Sequence, residues 1–229
     1  MSVWSEVVIG IALVAGTYWV IKTAYQWNRF RRSAYIELYS SYIEYAFRKK
    51  NIVKLSESFY LKNEFGKHRI FYQIAQAKNE KKPQAYILLL LSTGIYILNV
   101  KNQADKIILK QHGDMKQIYM EKQKKGEPVK EHQYLFKNPM EESRFFAKRM
   151  EQRIGNTEIP VKSIVVFPEK SELTWDGQPD MEVPVIKRKE LIATIKADME
   201  KSQTVLKDSQ IDDLYYQLAK ESIEMEKNM

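Results

Sequence analysis

Residues 86–91 (YILLLL) and 95–100 (IYILNV) are two almost wholly apolar runs separated only by Ser92-Thr93-Gly94. Neither alternates apolar with polar side chains. Successive side chains leave a strand in opposite directions, so a strand that is apolar throughout has to be covered on both faces. The tight Ser-Thr-Gly turn predicts that the two strands are neighbours. Together they commit the chain to a sheet buried between helices.

The rest of the sequence supplies those helices. In residues 33–50, Tyr35, Leu38, Tyr39, Tyr42, Tyr45 and Ala46 recur at helical spacing. Glu37 and Glu44 fall off this stripe, and the basic end suits the helix dipole. The spacing predicts one amphipathic helix, packed on the domain or lying in a membrane interface. Residues 55–65 predict a helix closed by Gly66, and residues 69–77 alternate like a strand. A polar turn at 78–83 leads into the apolar pair. Strands are expected at 106–110, 117–120 and 133–136, with a charged hairpin or loop at 122–130. Asn138 and Pro139 read as the cap and first residue of a helix running to about Ile154. A buried strand at 161–167, a short strand at 183–186 and helices at 187–201 and 210–225 complete the chain. The last helix carries Ile211, Leu214, Tyr215, Leu218 and Ile223 on one side. This order predicts an α/β (α+β) domain, a mixed sheet flanked by helices.

Residues 7–21 (VVIGIALVAGTYWVI) are uncharged, and a snorkelling Lys22 extends the apolar stretch to about Tyr25. Such a stretch is long enough to cross a bilayer. Trp4, Tyr18, Trp19, Tyr25 and Trp27 place aromatics towards both ends, as interfacial anchoring requires. A cleaved signal peptide would need a basic start and a small-residue cleavage site. The start here, Met1-Ser2-Val3-Trp4-Ser5-Glu6, is not basic, so an uncleaved anchor is the expectation. Only Glu6 precedes the segment, whereas Arg29, Arg31, Arg32, Arg48, Lys49 and Lys50 follow it. The positive-inside rule then leaves the N-terminus outside and the domain in the cytoplasm of a single-pass cell-membrane protein.

The net charge of +8 suggests nucleic acid until it is located. Residues 22–54 hold eight Lys/Arg against two acids, and residues 55–229 hold 29 against 26. The excess is therefore juxtamembrane, where each basic residue near an anionic leaflet contributes about 1 kcal/mol. Cysteine is absent, which removes disulfides and thiolate metal sites. His68, His112 and His132 are too dispersed in sequence to read as a ligand cluster.

Asn99-Val100-Lys101-Asn102 ends the second apolar strand. Together with its turn, the stretch Ser92 through Asn102 is similar to the turn, Gly, apolar strand and Glu-x-Lys-Asn of the NERD (nuclease-related) domain. That family is a bacterial branch of the PD-(D/E)XK nuclease-like superfamily. Asn138-Pro139-Met140-Glu141-Glu142 resembles its Asn-Pro-x-x-Gln, and Ile164-Val165-Val166-Phe167-Pro168 its following strand. The resemblance covers about residues 52–190 and implies a restriction-endonuclease-like fold. It implies a metal site made of an Asp eight residues before the glycine, the Glu of Glu-x-Lys and a Glu on the first helix. In such a site the glutamate holds Mg²⁺ and the lysine, on the same side of the strand, steadies the attacking water or the phosphate.

The positions matching that site are Tyr86, Asn99, Lys101 and Glu57. Only Lys101 and Glu57 keep the family's residue type, and the Gln of the Asn-Pro motif is Glu142. Mg²⁺ wants hard anionic oxygens, and a carboxamide and a phenol supply none near neutral pH. The expectation is a catalytically degenerate module that binds nucleic acid or a protein partner and needs no cofactor. The alternative is an active Mg²⁺-dependent nuclease with relocated carboxylates, for which Asp105, Asp114 and Glu121 are the candidates. A third reading binds nucleic acid without cutting it, through Lys122, Lys124, Lys125 and Lys130. Four segments are expected: an anchor at 1–27, a basic juxtamembrane helix at 28–51, the NERD-like domain at 52–190 and C-terminal helices at 191–229. Ala12 and Gly16 form a small-xxx-small pair, a hint of helix pairing.

Overall fold

The computed structural model describes residues 3–75, 84–121, 130–180 and 182–227. The expected turn at 78–83 and residues 122–129 of the expected charged loop, with Lys122, Lys124 and Lys125, lie outside the described residues. Helix α1 (Val3–Arg32) runs unbroken through the apolar segment. Its most apolar window has a mean hydropathy of 1.7 and no buried residue, so it is long and apolar enough to cross a membrane.

The single helix expected over residues 33–50 is instead a 3₁₀ turn (Ala34–Glu37) followed by α2 (Tyr42–Arg48). Serines make the break. Ser33 caps the turn by accepting from the Tyr35 N–H, and Ser41 caps α2 by accepting from the Glu44 N–H. The stripe nevertheless does what its spacing demands. Leu38 and Tyr39 are fully buried, and Tyr35, Tyr42 and Tyr45 pack against the same core. Glu44, expected on the solvent face, is buried. Its carboxylate accepts from the Ser40 and Phe59 N–H groups and from Arg48.

The helix expected over residues 55–65 is the shorter α4 (Phe59–Phe65), capped by Ser58, and a separate turn of helix, α3 (Ile52–Leu55), precedes it. Gly66 closes α4 with φ of 75°. Five strands then form one mixed sheet in the order β1-β2-β3-β7-β9. They are β1 (Arg69–Ala75), β2 (Gln84–Leu91), β3 (Gly94–Val100), β7 (Val161–Phe167) and β9 (Val185–Lys187). The first three are antiparallel neighbours, and β3, β7 and β9 are parallel.

Helices cover both faces of this sheet, as the two apolar strands require. On one face Leu89, Leu91, Tyr96 and Leu98 meet α6 (Leu191–Lys201) together with Phe30, Leu38 and Tyr39. On the other, Leu88, Leu90, Ile95 and Ile97 meet α5 (Pro139–Ile154) and α7 (Asp208–Lys227). The basic segment after α1 is thus part of the domain core rather than a separate helix. The turn before β3 needs its glycine. Gly94 has φ of 130°, and a Cβ there would collide with the Pro160 carbonyl that accepts the Ile95 N–H.

A second mixed sheet was not expected as a separate unit. Its order is β6-β5-β4-β8, comprising β4 (Asp105–Leu109), β5 (Met115–Glu121), β6 (Lys130–Phe136) and β8 (Ser171–Trp175). It packs Ile107, Leu109, Met115 and Phe136 against Val165 and Phe167 of β7. Strand β8 escaped the sequence reading because SELTW carries little apolar signal. It is held by parallel pairing with β4.

Candidate functional site

Tyr86, Asn99 and Lys101 meet at the C-terminal end of β3, on the sheet face covered by α5. Residues two apart share a strand face, so Asn99 and Lys101 continue the row begun by Ile95 and Ile97. One step beyond the Ile87–Leu98 pair, the register sets Tyr86 beside Asn99.

What these side chains contact is set by the start of α5. The Asn138 carbonyl oxygen of the side chain accepts from the Met140 N–H at 3.0 Å, and Pro139 stands at the first helical position. The Asn138 amide also donates to the carbonyls of Lys110 at 2.9 Å and Gln111 at 3.3 Å. One residue therefore caps the helix and ties its first turn to the end of β4. That fixed turn hangs Glu142 over the strand, where a carboxylate also suits the helix N-terminus.

Lys101 Nζ donates to Glu142 Oε2 at 2.5 Å, and both side chains are buried. Asn99 is 1% exposed. Its Nδ2 donates to the Pro139 carbonyl and to Ser143 Oγ, each at 3.0 Å, and lies 3.5 Å from Glu142 Oε2. Ser143 Oγ in turn donates to the Pro139 carbonyl at 2.7 Å. The Tyr86 ring stacks on Phe146 of α5 at 4.1 Å and 2°. The strand end is thus sealed to the helix by an ion pair, a carboxamide and a ring stack.

Glu57 is not part of this group. Its carboxylate pairs with Arg69 at 2.7 Å and is half exposed. Arg69 stands opposite Leu90, and Leu90 opposite Ile95, so Glu57 belongs with the beginning of β3. Six residues separate Ile95 from Lys101, about 20 Å of strand. The expected neighbourhood of Glu57 and Lys101 is replaced by a different one. Arg69 Nε donates to Asp212 Oδ1 of α7 at 2.6 Å, and the guanidinium lies 5.3 Å from the Tyr215 ring. Burial acts to raise the Asp212 pKa, but the Lys67 and Arg69 partners outweigh it and hold the carboxyl below its ordinary value.

Asp105 and Asp114, two of the candidate relocated acids, do not assemble at the buried Lys101 either. Asp105 opens β4 and is exposed, Asp114 lies in the exposed turn before β5, and Glu121 ends β5. Among the described residues no three His, Asp or Glu side chains gather as a metal would require. His68 is buried, its Nε2 accepting from the Ser58 N–H at 3.0 Å. His112 stands beside Glu141, and His132 stacks on Tyr119.

The residues at the end of β3 do not fit the Mg²⁺ of the resemblance. The Glu142 carboxylate is bound to an ammonium, and the Asn99 amide turns its NH₂ towards three oxygens. A divalent ion needs the opposite polarity.

Two further features were missed by the sequence reading. Asp180 is buried, pairs with Arg144 of α5 and accepts from the Glu182 N–H at 2.8 Å. Lys162 of β7 donates to Asp198 Oδ2 at 2.6 Å, as does the Tyr96 hydroxyl. Arg144, Lys162, Tyr96 and Asp198 line a cleft of about 520 Å³ between α5 and α6, where β9 leaves the first half of β7 uncovered. Nothing local in the sequence marks the Asp198 cluster, since its partners Lys162 and Tyr96 are 36 and 102 residues away.

No curated protein and no solved structure matches the chain. The family model of the nuclease-related domain, NERD, matches residues 49–168, which is just over half the chain. The match takes in α3, the turn and strand of Gly94 through Lys101, the Asn-Pro start of α5 and the whole of β7. The chain therefore belongs to the NERD, or nuclease-related domain, family.

Proposed function

We propose that the chain is a membrane-anchored NERD domain that has lost metal-dependent hydrolysis and serves as a binding module. The observation that carries this is the Lys101–Glu142 pair. The lysine that would steady a phosphate or a water is engaged by the Glu142 carboxylate, and Asn99 and Tyr86 are bound to α5. A group closed in this way supports packing rather than turnover.

Anchoring by α1 rests on its length, its exposure and its aromatic ends, and the basic flank supports a cytoplasmic domain by the positive-inside rule. The near balance of charge over residues 55–229 favours a protein partner over nucleic acid.

The test is incubation of the full chain with DNA and RNA in Mg²⁺ or Mn²⁺. No metal-dependent cleavage is expected. Robust cleavage that Lys101→Ala abolishes in a folded variant would overturn the proposal and favour relocated carboxylates. Binding of nucleic acid without cleavage, weakening steeply with salt, would identify the ligand as nucleic acid. Salt-insensitive or absent binding leaves a protein partner.

A further inference from the structure

Arg29 of α1 and Lys49, just past α2, face a shared pocket of about 230 Å³ walled by Gln26, Tyr35, Tyr42 and Tyr45. Among the described residues no Asp or Glu lines it. The contrast with neighbouring cations is sharp. Arg48 is paired with Glu44 at 2.9 Å and Arg188 with Glu37 at 3.2 Å. Among the described residues neither Arg29 nor Lys49 has a carboxylate within ion-pair distance. Lys49 lies over the Tyr45 ring at 5.7 Å, and Arg29 over Tyr25 at 6.0 Å.

The walls are fixed. Tyr42 donates to Gln26 Oε1 at 2.8 Å, and Tyr35 stacks on Tyr45 at 4.6 Å. Burial pushes the Tyr45 pKa up to about 12, so its hydroxyl stays a donor at physiological pH.

Position along α1 sets the depth. Arg29 lies four residues beyond Tyr25, where the apolar stretch ends. At 1.5 Å per residue that is about 6 Å. The headgroup zone of one leaflet is roughly 5–8 Å thick. Beside the pocket, Ile43 and Phe47 of α2 sit one helical turn apart and are 66% and 70% exposed. An exposed apolar pair with basic neighbours is the composition of a segment that lies among headgroups.

We infer that this pocket binds the phosphate headgroup of an anionic phospholipid, with Arg29 and Lys49 as the charged contacts. The inference rests on the membrane-anchored reading of α1. The shared chemistry is a phosphate ester, so a soluble ester is the rival source.

The full chain in non-ionic detergent micelles is mixed with phosphatidylglycerol or phosphatidylcholine and examined by native mass spectrometry. One phosphatidylglycerol should be retained at least about tenfold over phosphatidylcholine, the equivalent of about 1.4 kcal/mol. R29Q/K49Q should lose that preference. R31Q/R32Q, which removes the same charge outside the pocket, should keep it, and so should R29K/K49R. Equal loss in both glutamine doubles would mean diffuse attraction and overturn the site. Binding of glycerol 1-phosphate as tightly as the lipid would overturn the lipid source. Flotation of the chain with neutral phosphatidylcholine vesicles reads anchoring separately, because the micelle measurement does not depend on its outcome.

Discussion

Replacing Glu142 by Gln removes one charge from a pair in which both side chains are less than a tenth exposed. The ammonium of Lys101 then loses its carboxylate partner in a low-dielectric site, a change that costs about 3–5 kcal/mol. Urea unfolding of the full chain in micelles, followed by far-ultraviolet circular dichroism, measures it. With a slope of about 2 kcal/mol/M, a loss of about 4 kcal/mol lowers the midpoint by about 2 M. At about 2–4 °C per kcal/mol for a chain of this size, the thermal midpoint falls by about 6–20 °C. The double variant Lys101→Met, Glu142→Leu removes both charges and fills similar space. It should lie near wild type or above it, because the desolvation of both ions is relieved together. Asn99 keeps its bonds to Pro139 and Ser143 in either variant. A Glu142→Gln midpoint within about 0.3 M of wild type would refute the reasoning. So would a double variant as unstable as the sum of its singles, since then no coupling exists.

Other outcomes follow from the same structure. Tyr86→Asp restores the family's residue type but sets a carboxylate against the Phe146 ring, and should lose at least about 3 kcal/mol in the same urea assay. A neutral result would show that the stack does not hold α5. Gly94→Ala forces a side chain against the Pro160 carbonyl at positive φ and should cost about 2–4 kcal/mol, with unchanged stability as the contrary result. Burial keeps the His68 pKa below the ordinary 6.5, against the Gly66 carbonyl that favours the charged ring, and the Ser58 N–H occupies the Nε2 lone pair that a second proton would need. Below pH 6.5 the unfolded chain takes up a proton that the folded chain refuses. Stability therefore falls as pH drops from 6.5 to the lower folded value and levels off beneath it. Urea midpoints between about pH 7.5 and 5 should show that slope, and His68→Gln should remove it. An unchanged slope in the variant would place the proton elsewhere.

Strands β2, β3 and β7 were legible because a strand buried on both faces has to be apolar throughout, and Asn138 with Pro139 announced α5 through the chemistry of helix starts. Residues 33–50 were read as one helix because the stripe keeps its period across the break. Ser33 and Ser41 bond to the backbone there, a choice that periodicity does not register. Glu44 went to the core because four donors from Ser40, Phe59 and Arg48 satisfy it, and Phe59 is 15 residues away. At the candidate site, Tyr86, Asn99 and Lys101 were named from their positions along two adjacent strands. Glu142 was visible only as a departure from a motif. Its role as partner of Lys101 depends on α5 returning over the strand 41 residues later. Glu57 failed for the converse reason. A helix residue was aligned by order along the chain, while the strand register sends it to the opposite end of the sheet.

The continuity of α1 into the core has a mechanical consequence. Phe30 and Ala34 are buried in the same cluster as Leu89 and Leu98, and Arg188 donates to the carbonyls of Arg31 and Ser33. No slack segment separates the apolar helix from the sheet. With α1 in a bilayer, the domain does not swing on a tether to search a volume. It keeps a set attitude and height above the surface, so a partner has to arrive at the membrane to meet it. Twisting or tilting of α1, by a neighbouring helix or by a change in bilayer thickness, turns the whole sheet with it.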